Sequence, residues 1–297
     1  LRPCSGGSDS VGGDPHSIIR VDSRTSSSID VEKEMRNTTH AAVLVALAGL
    51  ASGTIAQTDI FWDAGSGVWS APGNWSPANV PDNVGENARI GGVVGRVVTV
   101  DINPSINLLE LGAGSTLSVD PARGLNLAGD LINDGFITLN PTTSLSNSFI
   151  QFNSNATISG GGILRLSGGE NDAQLFTNGT TVTNGAGHTI DGAGEIWASL
   201  VNEGVISAIE TGFGNRLDLI SQSKVNNSTM QAGQDAELFI SAVAITQGPD
   251  GVIAANGDGL VSFNSNVTIT GGRLVGPGAF NRIGNGTLSL NGVSIEQ

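Results

Sequence analysis

A ten-residue block occurs twice in this chain, and the spacing of the copies restricts the fold more than any other feature. Phe152-Asn153-Ser154-Asn155-Ala156-Thr157-Ile158-Ser159-Gly160-Gly161 returns further along the chain as Phe263-Asn264-Ser265-Asn266-Val267-Thr268-Ile269-Thr270-Gly271-Gly272, with eight of ten positions identical. A finer pattern, an acidic residue followed by Gly-x-Ile, stands at Asp134-Gly135-Phe136-Ile137, Glu203-Gly204-Val205-Ile206 and Asp250-Gly251-Val252-Ile253. A unit of about 23 residues fits both intervals, as three units from Gly135 to Gly204 and two from Gly204 to Gly251. Short alternating runs such as Val97-Val98-Thr99-Val100 read as strands with one face to a core. Together they predict an all-β fold, a right-handed parallel β-helix of roughly eight to ten coils of about 23 residues each. The two Phe-Asn-Ser-Asn blocks should then occupy equivalent places about five coils apart, with Phe152 and Phe263 in matching orientations.

Asparagine recurs just before these turns, at Asn133, Asn202 and Asn226. Stacked at one corner on successive coils, each amide can bond to the next coil and form a ladder. Asparagine enrichment therefore has a structural reason and is no evidence for sugar binding.

Residues 35–56 read as a signal peptide: Met35 and Arg36 at the start, the apolar run Ala41 to Ala51, then Thr54-Ile55-Ala56 as a small-residue cleavage site. The run is shorter than the roughly 20 residues that cross a bilayer, so no membrane span is expected in the mature chain. An N-terminal signal helix, cleavage after Ala56 and a secreted or cell-surface location follow. Residues 1–34, which begin with Leu1 and precede a complete signal, read as a non-native or disordered leader. Cys4, His16, Lys33 and His40 fall before the cleavage site, which leaves His188, Lys224 and no cysteine. Disulfides and a histidine-built metal cage are thereby excluded.

The formal net charge of −14 argues against nucleic acid or an anionic membrane surface as partner, since both need a basic face. Cell-envelope or extracellular polysaccharide and other surface proteins remain open. Residues 57–87 form a Trp-rich N-terminal cap ahead of the solenoid at 88–297. In that cap Trp62, Trp69 and Trp75 either close the open end of the first coil or offer ring faces to carbohydrate. The second long repeat stops at Gln297, so the last coil is expected to be truncated or completed by a neighbour.

Catalytic chemistry is hard to assemble from what remains. Glycoside hydrolysis needs carboxyls at alternate positions on one strand or at one position on adjacent coils. Glu170 with Asp172, Asp235 with Glu237, and Asp191 with Glu195 beside His188 are the candidates, and all lie at glycine-rich or polar turns where acids usually face solvent. Gly168-Gly169-Glu170-Asn171-Asp172 approaches a calcium-binding β-roll repeat but is imperfect and unrepeated. No catalytic residue, cofactor or metal is assigned, calcium being the one ion with a partial motif.

The Trp62-Asp63-Ala64-Gly65-Ser66-Gly67-Val68-Trp69-Ser70 and Asn74-Trp75-Ser76 entry, the Val98-Thr99-Val100-Asp101 strand and the Gly112-Ala113-Gly114-Ser115-Thr116-Leu117 turn carry a resemblance. With the signal, the chain resembles exported bacterial β-solenoid surface proteins, the autotransporter-passenger-like and pectin-lyase-like right-handed parallel β-helices, over roughly residues 59–297. The resemblance implies an elongated surface protein serving as adhesin, matrix component or scaffold. Within residues 59–297 neither a translocator barrel nor the signatures of pectinolytic members is recognised, so neither autotransport nor pectin cleavage is carried over. Two functions from different classes follow: a non-enzymatic structural or adhesive surface protein, and a polysaccharide lyase or hydrolase with a groove on one parallel sheet. Acids clustered on one face of adjacent coils would favour the enzyme.

Overall fold

A computed structural model describes residues 56–297 apart from 143, 170 and 297. The leader at 1–34, the signal segment up to residue 55 and Glu170 lie outside the described residues. The chain winds into an all-β parallel solenoid of about nine turns of about 22 residues. The turns contribute strands to three sheets, of 12, 11 and 9 strands, the third sheet having no strand in the first turn or in the last described one. Between the second-sheet strand Gly67–Val68 and the next first-sheet strand Glu86–Ile90 there is no third-sheet strand; a loop with the 3-10 turn Pro72–Asn74 stands in its place, and the third sheet starts only at Ser105–Ile106.

The Gly-x-Ile motifs explain how coils stack. Ile137, Ile206 and Ile253 fall on one inward line of the second sheet, where Ile137 pairs with Leu164, Ile190 with Ile206 and Met230 with Ile253. All are fully buried. The preceding glycines are demanded by close approach: a Cβ on Gly135, Gly204 or Gly251 would stand 2.5, 2.3 or 2.3 Å from a carbonyl oxygen of the coil beneath. Leu, Ile and Val from all three sheets fill the interior as one continuous core.

Coil length is not constant. Val182 and Leu200 are first-sheet partners, as are Leu131 and Ile158, and the second pair is half as far apart again along the chain as the first. Phe152 and Phe263 nonetheless sit five strands apart in the third sheet, both buried. The strand pairings carry Ile150 through Leu175, Ile196, Leu219 and Ile240 to Phe263, so Phe263 matches Ile150 and stands two positions from the place of Phe152. A slip of two preserves the face of every side chain, because strands alternate with period two. The repeat therefore kept its orientation and lost its register.

The asparagine ladder is present and longer than the motif suggests. Asn184 donates to Asn202 Oδ1 at 2.8 Å, Asn202 to Asn226 at 2.9 Å, and Asn226 to Gln247 Oε1 at 3.0 Å. Each amide also reaches a backbone carbonyl, Val205, Thr229 and Val252 in turn. Asn133 joins through His188, whose ring lies 2.8 Å from Asn184 Oδ1 and 3.0 Å from Asn133 Nδ2. The coil between them carries Gly160, Gly161 and Gly162 in place of an amide, and His188 spans the gap. His188 is fully enclosed, and burial pushes its pKa down to about 4.

The boundary expected at residue 88 falls inside a ladder. Thr58–Trp62 pairs in parallel with Glu86–Ile90, so residues 57–87 already belong to the solenoid. The cap is built into the first coil: Trp75–Ser76 pairs antiparallel on the outer edge of Thr58–Trp62 and covers it.

Candidate functional site

The tryptophans expected as a carbohydrate contact are not available for one. Trp62, Trp69 and Trp75 are 5%, 0% and 3% exposed and pack edge to face with centroids 4.8 Å apart. Their indole N–H groups are taken up by backbone carbonyls, those of Gly65, Pro81 and Trp69. A ring enclosed on both faces cannot stack on a sugar, so this cluster seals the first coil.

One of the acid pairs, Asp191 with Glu195, comes apart as well. Asp191 lies on the second sheet, held by Arg165 through two hydrogen bonds of 2.8 and 2.6 Å, whereas Glu195 lies on the third. Arg165 in turn stacks over Phe136, and its pKa is raised chiefly by Asp191. Asp235 sits in a turn with φ of 59°, and Glu237 pairs in register with Arg216. Asp172 contributes its backbone oxygen to Ser148 and Asn140. Among the described residues no group of three or more His, Cys, Asp or Glu side chains could hold a metal ion.

The outward face of the third sheet assembles residues that motif reading did not connect. Phe149, Phe176 and Trp197 come from three successive coils and run across it as a strip, with centroid separations of 6.1 and 6.2 Å and the last pair stacked. Gly124 makes the strip possible at its start: a Cβ there would lie 2.1 Å from the Phe149 ring. Phe149 and Phe176 are half-buried and Trp197 is 37% exposed, the one tryptophan that meets solvent.

Beside the rings runs a polar row. Gln174, Glu195 and Asp218 pair in register on adjacent strands, and side chains two positions apart share a face, so Gln174 lies next to Phe176 and Glu195 next to Trp197. Gln174 Nε2 and Trp197 Nε1 both donate to Glu195 Oε2 at 2.7 Å. Asp218 takes two 2.7 Å bonds from Arg216, whose guanidinium lies 3.7 Å over the Phe239 ring. At the entry to these strands Leu145, 88% exposed, and Phe213, 40% exposed, border a cleft of about 210 Å3.

The signal for the acid pair was in the period itself. Glu195 and Asp218 stand one coil apart, although neither belongs to a repeated motif. No protein-family profile, curated protein or solved structure matches the chain.

Proposed function

We propose that this chain is an exported, secreted or cell-surface solenoid of the non-enzymatic structural or adhesive kind, and that it contacts polysaccharide through the outer face of its third sheet. The observation that carries this is the strip Phe149–Phe176–Trp197 beside the polar row Gln174–Glu195. Aromatic faces accept the apolar faces of sugar rings, and a carboxylate beside them accepts from a ligand's donors. Repetition along the axis gives many weak contacts the advantage of multivalency. Export rests on the signal-like segment at 35–56, and right-handed winding on the strong preference of parallel crossovers.

The enzyme alternative has one observation in its favour, the Glu195 and Asp218 pair on adjacent strands. Strands stand about 4.8 Å apart, close to the carboxyl spacing of retaining glycosidases, about 5–5.5 Å. Against it, Asp218 is clamped by Arg216, and the sole histidine after residue 56 is sealed in the ladder. A glycan array probed with residues 57–297, run beside reducing-sugar and unsaturated-product assays, separates the two. Binding without turnover is expected. Turnover abolished by Glu195→Gln would establish the enzyme instead.

A further inference from the structure

The geometry points to an amine-bearing polysaccharide, of the glucosamine type, as the ligand of the third-sheet face, with Trp197 stacking on a sugar ring and Glu195 receiving its ammonium group. This rests on the reading of that face as a polysaccharide contact and names which class it takes.

Glu195 carries the selection. It is 6% exposed and held from two sides, yet both donors converge on Oε2. Among the described residues no hydrogen bond goes to Oε1, and that atom is not among those sealed from solvent. The carboxylate is therefore oriented in advance, with one oxygen left for a ligand donor at the edge of the indole. An ammonium group placed there gains a charge-assisted hydrogen bond, while the sugar ring that carries it stacks on the indole face.

Charge on the face excludes the opposite class. Across Ser148–Phe152, Ala173–Thr177, Gly194–Ile196, Arg216–Ile220 and Glu237–Ser241 the one basic residue is Arg216, tied to Asp218, while Glu195, Asp218 and Glu237 supply carboxylates. A uronate chain laid along the strip would meet three carboxylates against the single guanidinium of Arg216, which already serves Asp218, in a protein of net charge −14. Gln174 is committed as well, its oxygen accepting from Asn147 and its nitrogen donating to Glu195, so it positions the carboxylate.

Isothermal titration calorimetry at low salt and about pH 5.5, where carboxylates are ionised, tests this with oligomers of glucosamine, N-acetylglucosamine and galacturonate of matched length, and with oligolysine. The glucosamine oligomer should bind, the galacturonate oligomer should not, and Glu195→Gln and Trp197→Ala should each weaken binding at least about tenfold. Trp197→Phe, which keeps a ring, should retain most of the affinity, and melting curves establish that each variant is folded. Equal binding of the acetylated oligomer with no effect of Glu195→Gln would overturn the amine assignment and leave the polysaccharide contact standing. Binding of none would overturn both. Oligolysine binding as tightly, with no loss in Trp197→Ala, would reduce the site to diffuse electrostatics and overturn the proposal.

Discussion

The two aromatic clusters of this protein are made of similar residues and behave in opposite ways. At the first coil Trp62, Trp69 and Trp75 interlock at 4.8 Å and send their N–H groups to backbone carbonyls. On the third sheet Phe149, Phe176 and Trp197 stand 6.1–6.2 Å apart, and the Trp197 N–H goes to a side-chain carboxylate. The first cluster replaces a missing strand and so must exclude water. The second lies on a sheet already complete, so its rings are surplus to the fold. Composition alone cannot tell a lid from a contact surface; the difference lies in whether the backbone beneath is already paired.

That difference has measurable consequences, the largest at Trp69. Trp69→Ala removes a fully buried indole and orphans the Pro81 carbonyl, and should cost about 3–5 kcal/mol in denaturant melts. Trp197→Ala, on the open strip, should cost under about 1 kcal/mol. Equal losses would break the distinction between lid and surface.

The sealed interior can be probed through its two titratable members. Lys224 points inward, 1% exposed, with Nζ donating to the carbonyls of Ile220 and Gln222, and burial pushes its pKa down from 10.5 to about 7. The unfolded chain therefore binds more protons between about pH 7 and 10.5, and stability rises with pH across that window. Lys224→Met should remove that rise. His188 acts on the acid side: with a folded pKa of about 4 against 6.5, its contribution is complete above pH 6.5 and lost as pH falls towards 4. His188→Gln should flatten that acid limb by about 2–3 kcal/mol. A flat profile in the parent protein would show that neither group is enclosed as described.

The smallest effect sharpens the contrast without touching stability. Acrylamide should quench Trp197 and leave the other three tryptophans dark to it, so Trp197→Phe should abolish the quenchable fraction of the fluorescence. Quenching that persists in Trp197→Phe would mean the first-coil cluster is open.

The solenoid was legible in the linear chain because its causes are local and repeated. Gly135, Gly204 and Gly251 mark where one coil touches the next, the isoleucines two residues on mark the inward line, and Asn202 and Asn226 mark the corner where amides stack. Each of those constraints recurs at whole numbers of coils, so periodicity records it. Register was less legible: coils of unequal length let Phe263 slip two places from the position of Phe152 without exposing either ring.

The outer face left no comparable trace. Which acids meet depends on how much chain each loop absorbs, so Asp191 and Glu195, close in sequence, end on different sheets, while Glu195 and Asp218 become neighbours. Whether a tryptophan is lid or contact, and whether Lys224 points in or out, depends on which strands surround it. Repetition along the chain specifies how coils stack, since the same stacking constraints return at whole numbers of coils. What the surface presents depends on singular contacts between distant residues, and these arise only once the coils are wound.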